Sequence, residues 1–369
     1  MFLESVCIDS FPQYPIHKLA DIHATFFLDI ETTGFSAKTS SLYLIGCLYY
    51  KDDVWNLVQW FAESNDEEKE ILVSFKEFTK NFKTVIHFNG NGFDLPYLAH
   101  KFTRFKLANP LENLENIDLY KSIRPYKAIL KLEDLKQKTI ESFLDIRRND
   151  IFSGGDLITL YKEFCTNPSE MSRKVLLLHN HDDMLGMLAL LQVLYYDDLF
   201  KGDFSITSID VSKAKDMHGN IRLEGIMELE LSANIPVPIS YGTKSLYLKA
   251  NGKTAFLKFP CVQKELKFFF DNYKDYYYLP DEDMAIHKSV ASYVSRDYRI
   301  QAKAATCYTR KSGLFCPQNK TLFFPCFKQK YGDSYTYFEL SDDFLHSEEN
   351  KYKYCRHLLY CLLQGVLLD

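Results

Sequence analysis

Two acids stand two residues apart in the stretch "FFLDIETTGFS": Asp29 and Glu31, directly after the apolar run Phe26, Phe27 and Leu28. In a β-strand, residues i and i+2 point to the same face, so the two carboxylates lie side by side. Like charges at that spacing repel unless something positive lies between them. A third acid, Asp94, follows Asn89 in "NGNGFDLPYL", and "LLLHNHDDMLG" places His179 and Asp183 four residues apart. On a helix that spacing puts both side chains on one face, with Cβ atoms about 5–6 Å apart.

These residue types suit phosphodiester hydrolysis. That reaction must neutralise a phosphate, activate a water and stabilise a leaving alkoxide, and two divalent cations roughly 3.5–4 Å apart can do all three. Mg²⁺ and Mn²⁺ prefer carboxylate oxygens and water. Two unit charges 4 Å apart interact by about 4 kcal/mol at an effective dielectric of 20. Converging Asp29, Glu31, Asp94 and Asp183 without cations is therefore costly, and the expected cofactors are two divalent cations, Mg²⁺ or Mn²⁺. His179 is the candidate to orient or deprotonate the attacking water. No single piece is specific: acid-x-acid recurs at Glu228/Glu230 and Asp281/Asp283, and Asp94 alone reads equally as a helix start. The ordered set carries the signal.

The elements that must position these residues follow from periodicity. "TFFLDIE", "SLYLIGCLYY", "VWNLVQWFA", "TVIHFN" and the short "NIDLY" read as five strands. "DEEKEILVSFKEFTKNF" reads as a helix, with Ile71, Leu72, Phe75, Phe78 and Phe82 at helical spacing. "FDLPYLAHKFTRF" is a second helix, with Pro96 tolerated in its first turn. Residues 121 to 200 read as helices, the longest spanning "EMSRKVLLLHNHDDMLGMLALLQVLYY". Residues 1–24, with Pro12 and Pro15, read as a leader on the surface. After Gly202 the pattern becomes strand-rich, and Asn251-Gly252 in "SLYLKANGKTAFLKF" suits a two-residue hairpin turn. "MAIHKSVASYV" and "YKYCRHLLYCLLQGVLL" read as helices. The expected organisation is a leader 1–24, an α/β domain 25–202 and an α+β domain 203–369 of unknown role.

Composition bounds the function classes. The chain of 369 residues carries a net charge of −5, against the basic balance of proteins that coat long nucleic acid. An anionic substrate would be gripped locally or through bound cations. Nine cysteines without a C-x-x-C pair argue for reduced thiols in a cytoplasm and against zinc. No signal peptide is evident, and no apolar run approaches the roughly 18 residues of a membrane helix.

The motifs "FLDIETTG", "HFNGNGFDLPYL" and "HNHDDMLG" resemble motifs I, II and III of the DEDD 3′–5′ exonucleases, on a ribonuclease H-like fold with a mixed five-stranded sheet flanked by helices. The third motif, His-Asn-x-x-Asp, is similar to that of YprB-like ribonuclease H-like domains, and the resemblance covers about residues 25–200. It implies that Asp29 bridges two metals, that Glu31 and Asp183 complete the first metal's shell, and that Asp94 holds the second. His179 stands where relatives place a Tyr or His that activates water; its four-residue gap is that of the Tyr-type class. A one-residue shift would exchange Asp182 for Asp183, but Asp183 matches His179 better. Thr32, Thr33 and Gly34 stand where relatives contact the terminal nucleotide, and Asn89 and Phe93 flank the site.

Further substrate contacts are expected from the basic segment 121–141, led by Lys121 and Arg124, which could track a phosphate backbone or form a solvated helix face. The aromatic run "KFFFDNYKDYYYLPDED" could stack on bases, though strand cores explain such runs more often. "FSGGDLI" reads as a plain turn before a helix. The expected activity is 3′–5′ hydrolysis at single-stranded DNA or RNA ends. The alternatives are a nucleic-acid-binding or scaffold protein that has lost activity, and a structure-specific endonuclease.

Overall fold

The strand that carries Asp29 and Glu31 is central because its sequence is apolar on both faces, the pattern of a strand covered on both sides. In the computed structural model, which describes residues 1–148, 152, 154–215 and 221–368, the strands of the first half are β1 (Phe2–Ile8), β2 (Thr25–Thr32), β3 (Leu42–Lys51), β4 (Val54–Phe61), β5 (Thr84–His87) and β6 (Glu115–Asp118). They form one sheet in the order β1-β4-β3-β2-β5-β6. The β2–β5 and β5–β6 pairs are parallel and the others antiparallel. The helices are α1 (Glu68–Thr79), α2 (Asp94–Arg104), α3 (Leu119–Ile123), α4 (Gln137–Phe143), α5 (Gly154–Thr166), α6 (Glu170–Leu190) and α7 (Leu194–Lys201).

Alternation along β2 divides its labour. Phe26, Leu28 and Ile30 join the core with Ile71, Leu72 and Phe75 of α1. Phe27, Asp29 and Glu31 point to the opposite face, where α6 crosses β2, β3 and β4. Phe27 meets Trp55 there at 5.8 Å between ring centroids. α6 starts at Ser169, whose hydroxyl accepts from the Ser172 amide, an N-cap of the usual kind.

The structure corrects four expectations. Residues 1–24 are not a surface leader: Phe2–Ile8 pair with β4 as an edge strand, and Tyr14 and Ile16 are buried, so the sheet has six strands rather than five. The alternation of β1 is blurred because Glu4 faces inward and Leu3 outward. The basic stretch 121–141, read within a helical region 121–200, is helical only in parts. α3 ends at Ile123 and runs straight into a single 3-10 turn, Arg124–Tyr126, that contains Pro125; the next α-helix begins only at Gln137, because proline has no amide to continue the α-helical ladder. In the second half, "MAIH" is a strand followed by a four-residue helix. The hairpin turn falls one residue later than its Asn-Gly pair, at Gly252-Lys253, with Asn251 paired to Thr254. Gly252 takes the positive φ of 57° that a tight turn demands.

The chain divides into two compact units, Met1–Asp197 and Asp198–Asp369. The second unit contains β7 (Phe204–Lys215), β8 (Ile221–Leu231), β9 (Ile239–Gly242), β10 (Tyr247–Asn251), β11 (Thr254–Phe269), β12 (Tyr276–Leu279), β13 (Met284–His287), β14 (Ile300–Gln301), β15 (Tyr308–Gln318), β16 (Phe327–Lys328) and β17 (Thr336–Glu339). β11 is the axis of an eight-stranded antiparallel sheet, and β13-β12-β14 form a small second sheet. Helices α8 (Lys288–Ala291), α9 (Asp342–His346) and α10 (Glu348–Gln364) complete the unit. Its aromatic run packs internally: Phe270 stacks on Tyr276 at 4.5 Å, and Tyr278 donates to Asp283 at 2.6 Å. All nine cysteines are free thiols. Among the described residues no helix is long and apolar enough to cross a membrane.

Candidate active site

The register of three strands builds the floor of the site. Asp29 on β2 stands opposite Gly46 on β3, and Gly46 opposite Gln59 on β4. Asn180 of α6 lies across this row. Its Nδ2 donates to Asp29 Oδ2 at 2.8 Å, and its Oδ1 accepts from Gln59 Nε2 at 2.8 Å. Gln59 Nε2 also donates to the Leu177 carbonyl at 3.0 Å, tying β4 to the helix backbone. Gly46 leaves the room: a Cβ there would lie 2.0 Å from Asn180 Oδ1. A glycine inside a strand often marks such a close approach. Replacing Gly46 by Ala displaces Asn180 and frees the Asp29 carboxylate to rotate. With divalent cations held as proposed below, a 10–100-fold loss of Mn²⁺ affinity is the expected result, the usual effect of disturbing the partners of metal ligands, and Mn²⁺ titration of the folded variant measures it.

The second acid segment is held by its own network. β5 ends at His87, and the turn Phe88–Phe93 leads into α2. His87 Nδ1 accepts from the Gly90 amide at 3.0 Å, so its proton sits on Nε2, 2.7 Å from Asn116 Oδ1. Burial is the largest cause that pushes the His87 pKa down, consistent with this neutral imidazole. Asp118 accepts from the Asn89 and Tyr120 amides at 2.9 and 3.1 Å and from Asn91 Nδ2 at 3.0 Å. Asn89 adopts φ 58°, a left-handed conformation that Asn tolerates. The turn thus delivers Asp94 to the first position of α2, where the amides of Asp94 and Ile30 donate to its carboxylate.

The third segment closes the cluster. His179 and Asp183 share one face of α6, and His179 Nε2 lies 3.3 Å from Asp183 Oδ2 and 3.6 Å from Glu31 Oε1. Glu31 also accepts from the Tyr43 hydroxyl. Asp182 points elsewhere, with its Oδ1 3.3 Å from His181 Nδ1. Glu31, His179 and Asp183 offer ligand atoms that all lie within 4.8 Å of one another. Burial, and then repulsion from Asp183, Glu31 and Asp94, holds the Asp29 carboxyl well above the usual range. Burial is also the main cause that pushes Asp94 up to about 7, with Asp118 and Asp183 adding repulsion. The four carboxylates from three segments are hard oxygen donors that fit Mg²⁺ or Mn²⁺, with the His179 imidazole beside Glu31 and Asp183.

Linkage gives the sign of a pH effect. The folded, metal-free protein binds protons at Asp94 and Asp29 that the unfolded chain has released above pH 4. Their contribution to stability is therefore lost as pH rises through about 7, and from Asp94 alone is on the order of 4 kcal/mol. The metal-free melting temperature is expected to fall between pH 5 and pH 8, and Mn²⁺ to raise it more at pH 8 than at pH 5. Calorimetry at the two pH values measures both, and equal metal responses contradict the arrangement.

The other candidate residues divide. Thr32 Oγ1 donates to the Gly34 carbonyl at 3.0 Å, and Thr33 Oγ1 accepts from the Ser41 amide at 2.8 Å, so both hydroxyls brace their own loop. Gly34 packs against Ser40, whose Cβ would lie 3.3 Å from an added Cβ. Phe93 is half-buried against Tyr97 and the ring of Phe35, which is 93% exposed. Lys121 and Arg124 are exposed, and Lys121 is near enough to His87 for its charge to act there.

Four residues of the site lie outside the sequence motifs' named acids: Asn180, Gln59, Gly46 and Arg148. The first three had a signal. Gln59 is a lone polar residue in an apolar strand, Gly46 a glycine inside another, and Asn180 lies within "HNHDD". Arg148, which donates from Nη2 to Asp183 Oδ1 at 2.6 Å, had none beyond its charge.

Residues 26–195 match a family model described as RNase_H superfamily, and this part of the chain is a ribonuclease H-like domain with its mixed sheet flanked by helices. No curated protein matches the chain. Among solved structures, the family B DNA polymerase of the hyperthermophilic archaeon Pyrobaculum calidifontis is similar with a TM-score of 0.38 and 17% identity, over 46% of this chain and 24% of that one. Exonuclease I in complex with an inhibitor is similar with a TM-score of 0.32 and 10% identity, over 57% of this chain and 56% of that one. E. coli exonuclease I in complex with a dT13 oligonucleotide gives 0.29 and 10%, over 57% and 55%. The chain spans about a quarter of the polymerase and just over half of exonuclease I.

Proposed function

From a ribonuclease H-like domain with converging acids, we propose a metal-dependent 3′–5′ exonuclease that hydrolyses phosphodiester bonds at single-stranded ends of DNA or RNA. The observation that carries this reading is geometric: Glu31, His179 and Asp183 bring ligand atoms within 4.8 Å of one another, and Asp29 and Asp94 lie close enough for their charges to act on each other and on Asp183. A fold that gathers four carboxylates so closely is stable in neutral solution when cations are bound among them.

Asp29, Glu31, Asp94 and Asp183 would hold two divalent cations, Mg²⁺ or Mn²⁺. When bound, these would supply charge neutralisation of the phosphate, a more acidic water and stabilisation of the leaving alkoxide. Asn180 orients the Asp29 carboxylate by its hydrogen bond. His179 presents Nε2 toward Glu31 and Asp183, and from there it orients the attacking water or accepts its proton. The backbone around Thr32, Thr33 and Gly34, with Asn89, borders the terminal nucleotide. Phe93, with Phe35 on it, offers an apolar face to a base. Lys121 and Arg124 contact the phosphate backbone.

The test uses 5′-labelled single-stranded DNA and RNA with Mn²⁺ or Mg²⁺, beside Asp29→Ala and Asp183→Ala. Stepwise shortening lost in both variants is the expected result. Binding without cutting overturns the reading in favour of a scaffold. Discrete internal cuts, or cleavage of a circular strand, overturn it in favour of an endonuclease. Arg148 on Asp183 is the one observation that favours the scaffold, because it supplies positive charge to an acid of the cluster.

A further inference from the structure

The geometry points to Arg148 as a positioning residue that fixes Asp183 with a single oxygen, Oδ2, offered to the cation site; this inference rests on the two-cation reading above. Arg148 Nη2 donates to Asp183 Oδ1 at 2.6 Å, while Oδ2 lies 3.3 Å from His179 Nε2. The two oxygens of one carboxylate therefore serve two different environments.

The guanidinium is itself held. Arg148 Nη1 donates to Glu141 Oε2 at 2.9 Å and Oε1 at 3.2 Å. Glu141 is buried and also accepts from Gln137 Nε2 at 2.8 Å. Gln137 Nε2 donates in turn to the Asp183 backbone carbonyl at 2.8 Å, so α4 grips both the main chain and, through Arg148, the side chain of the same residue. Gly186, one turn after Asp183, makes the space: a Cβ there would lie 2.0 Å from Glu141 Oε1. The glycine that ends "HNHDDMLG" is thus explained by the carboxylate it admits. A planar fork joining two carboxylates is a task for Arg and not for Lys, whose ammonium is a point charge.

Without this clamp Asp183 can rotate and present both oxygens to one cation. Arg148→Met combined with Glu141→Gln removes the fork without leaving a buried charge. Relative to wild type, the double variant is expected to need about tenfold more Mn²⁺ for half-saturation, to lose about tenfold or more in kcat on oligonucleotide with KM little changed, and to alter the electron paramagnetic resonance line shape of bound Mn²⁺. Arg148→Lys keeps the charge and is expected to fall between the two; Gly186→Ala, which displaces Glu141 without changing any charge, should move the Mn²⁺ midpoint in the same direction. Circular dichroism checks that each variant is folded, and the Arg148→Lys and Gly186→Ala proteins carry the test if the double variant is not. An unchanged or lower midpoint with an unchanged line shape overturns the proposal. If wild type itself binds no Mn²⁺, the two-cation reading fails first; if wild type binds, Asp29→Ala does not, and the clamp variants behave as wild type, only the clamp is wrong.

Discussion

Asp29→Asn is expected to reduce cleavage of single-stranded oligonucleotide by about a thousandfold or more, roughly 4 kcal/mol of barrier, while making the metal-free protein more stable. The two effects share one cause. The Asp29 carboxyl is held up by burial and by repulsion from Asp183, Glu31 and Asp94. An amide of the same shape keeps an oxygen for the Asn180 amide nitrogen, now 2.8 Å from the carboxylate, but carries no charge. At pH 8 the metal-free variant should gain about 1–2 kcal/mol, the usual size of an exchange of function for stability. The gain should shrink as pH falls toward 4 and vanish below about pH 3, where the acid is protonated in both folded and unfolded chains. Activity assays and melting curves across this pH range measure this pair. A variant that loses cleavage and also loses stability at pH 8 indicates that Asp29 is a structural residue.

Lys101→Met is expected to cost about 3–5 kcal/mol, a large share of the 5–15 kcal/mol that holds a typical domain folded. Lys101 is fully buried, an uncommon place for lysine. Its Nζ lies 2.6 Å from Glu68 Oε1 and donates to the Ser40 carbonyl at 2.5 Å. Glu68 in turn accepts from the Leu42 amide at 2.7 Å. The pair therefore joins α2, α1 and the loop that runs from Thr33 to Ser41 beside the acids. Methionine fills the space but strands the Glu68 charge in the core. Lys101→Met with Glu68→Gln removes both charges and keeps an acceptor for Leu42, so the double variant should recover most of the loss. Urea denaturation of the three variants yields the coupling, and additive effects would show that the two charges act independently.

Much of the ribonuclease H-like half was legible because each signal was local. β2 to β6 are read from short apolar runs, and α1, α2 and α6 from helical spacing. The chemistry was legible for the same reason: Asp29 and Glu31 are two apart on a strand, and His179 and Asp183 four apart on a helix. β1 escaped because an inward Glu4 and an outward Leu3 break its alternation. Thr32, Thr33 and Gly34 were read as substrate contacts; the Thr32 hydroxyl donates to the Gly34 carbonyl and the Thr33 hydroxyl accepts from the Ser41 amide, local bonds that residue type alone does not reveal.

The amino-acid sequence by itself therefore determined which groups are available and which pairs share a face, because strand and helix periods act over a few residues. Only the tertiary structure decided which face meets which. Gln59, Gly46 and Asp29 come into one row through strand register, 13 and 17 residues apart, and Asn180 completes it from a helix 121 residues beyond Gln59. Arg148 reaches Asp183 across 35 residues, and Lys101 reaches Ser40 across 61. Such contacts depend on packing and burial, which make a buried charge find a partner wherever the fold supplies one, and no spacing along the chain encodes that choice.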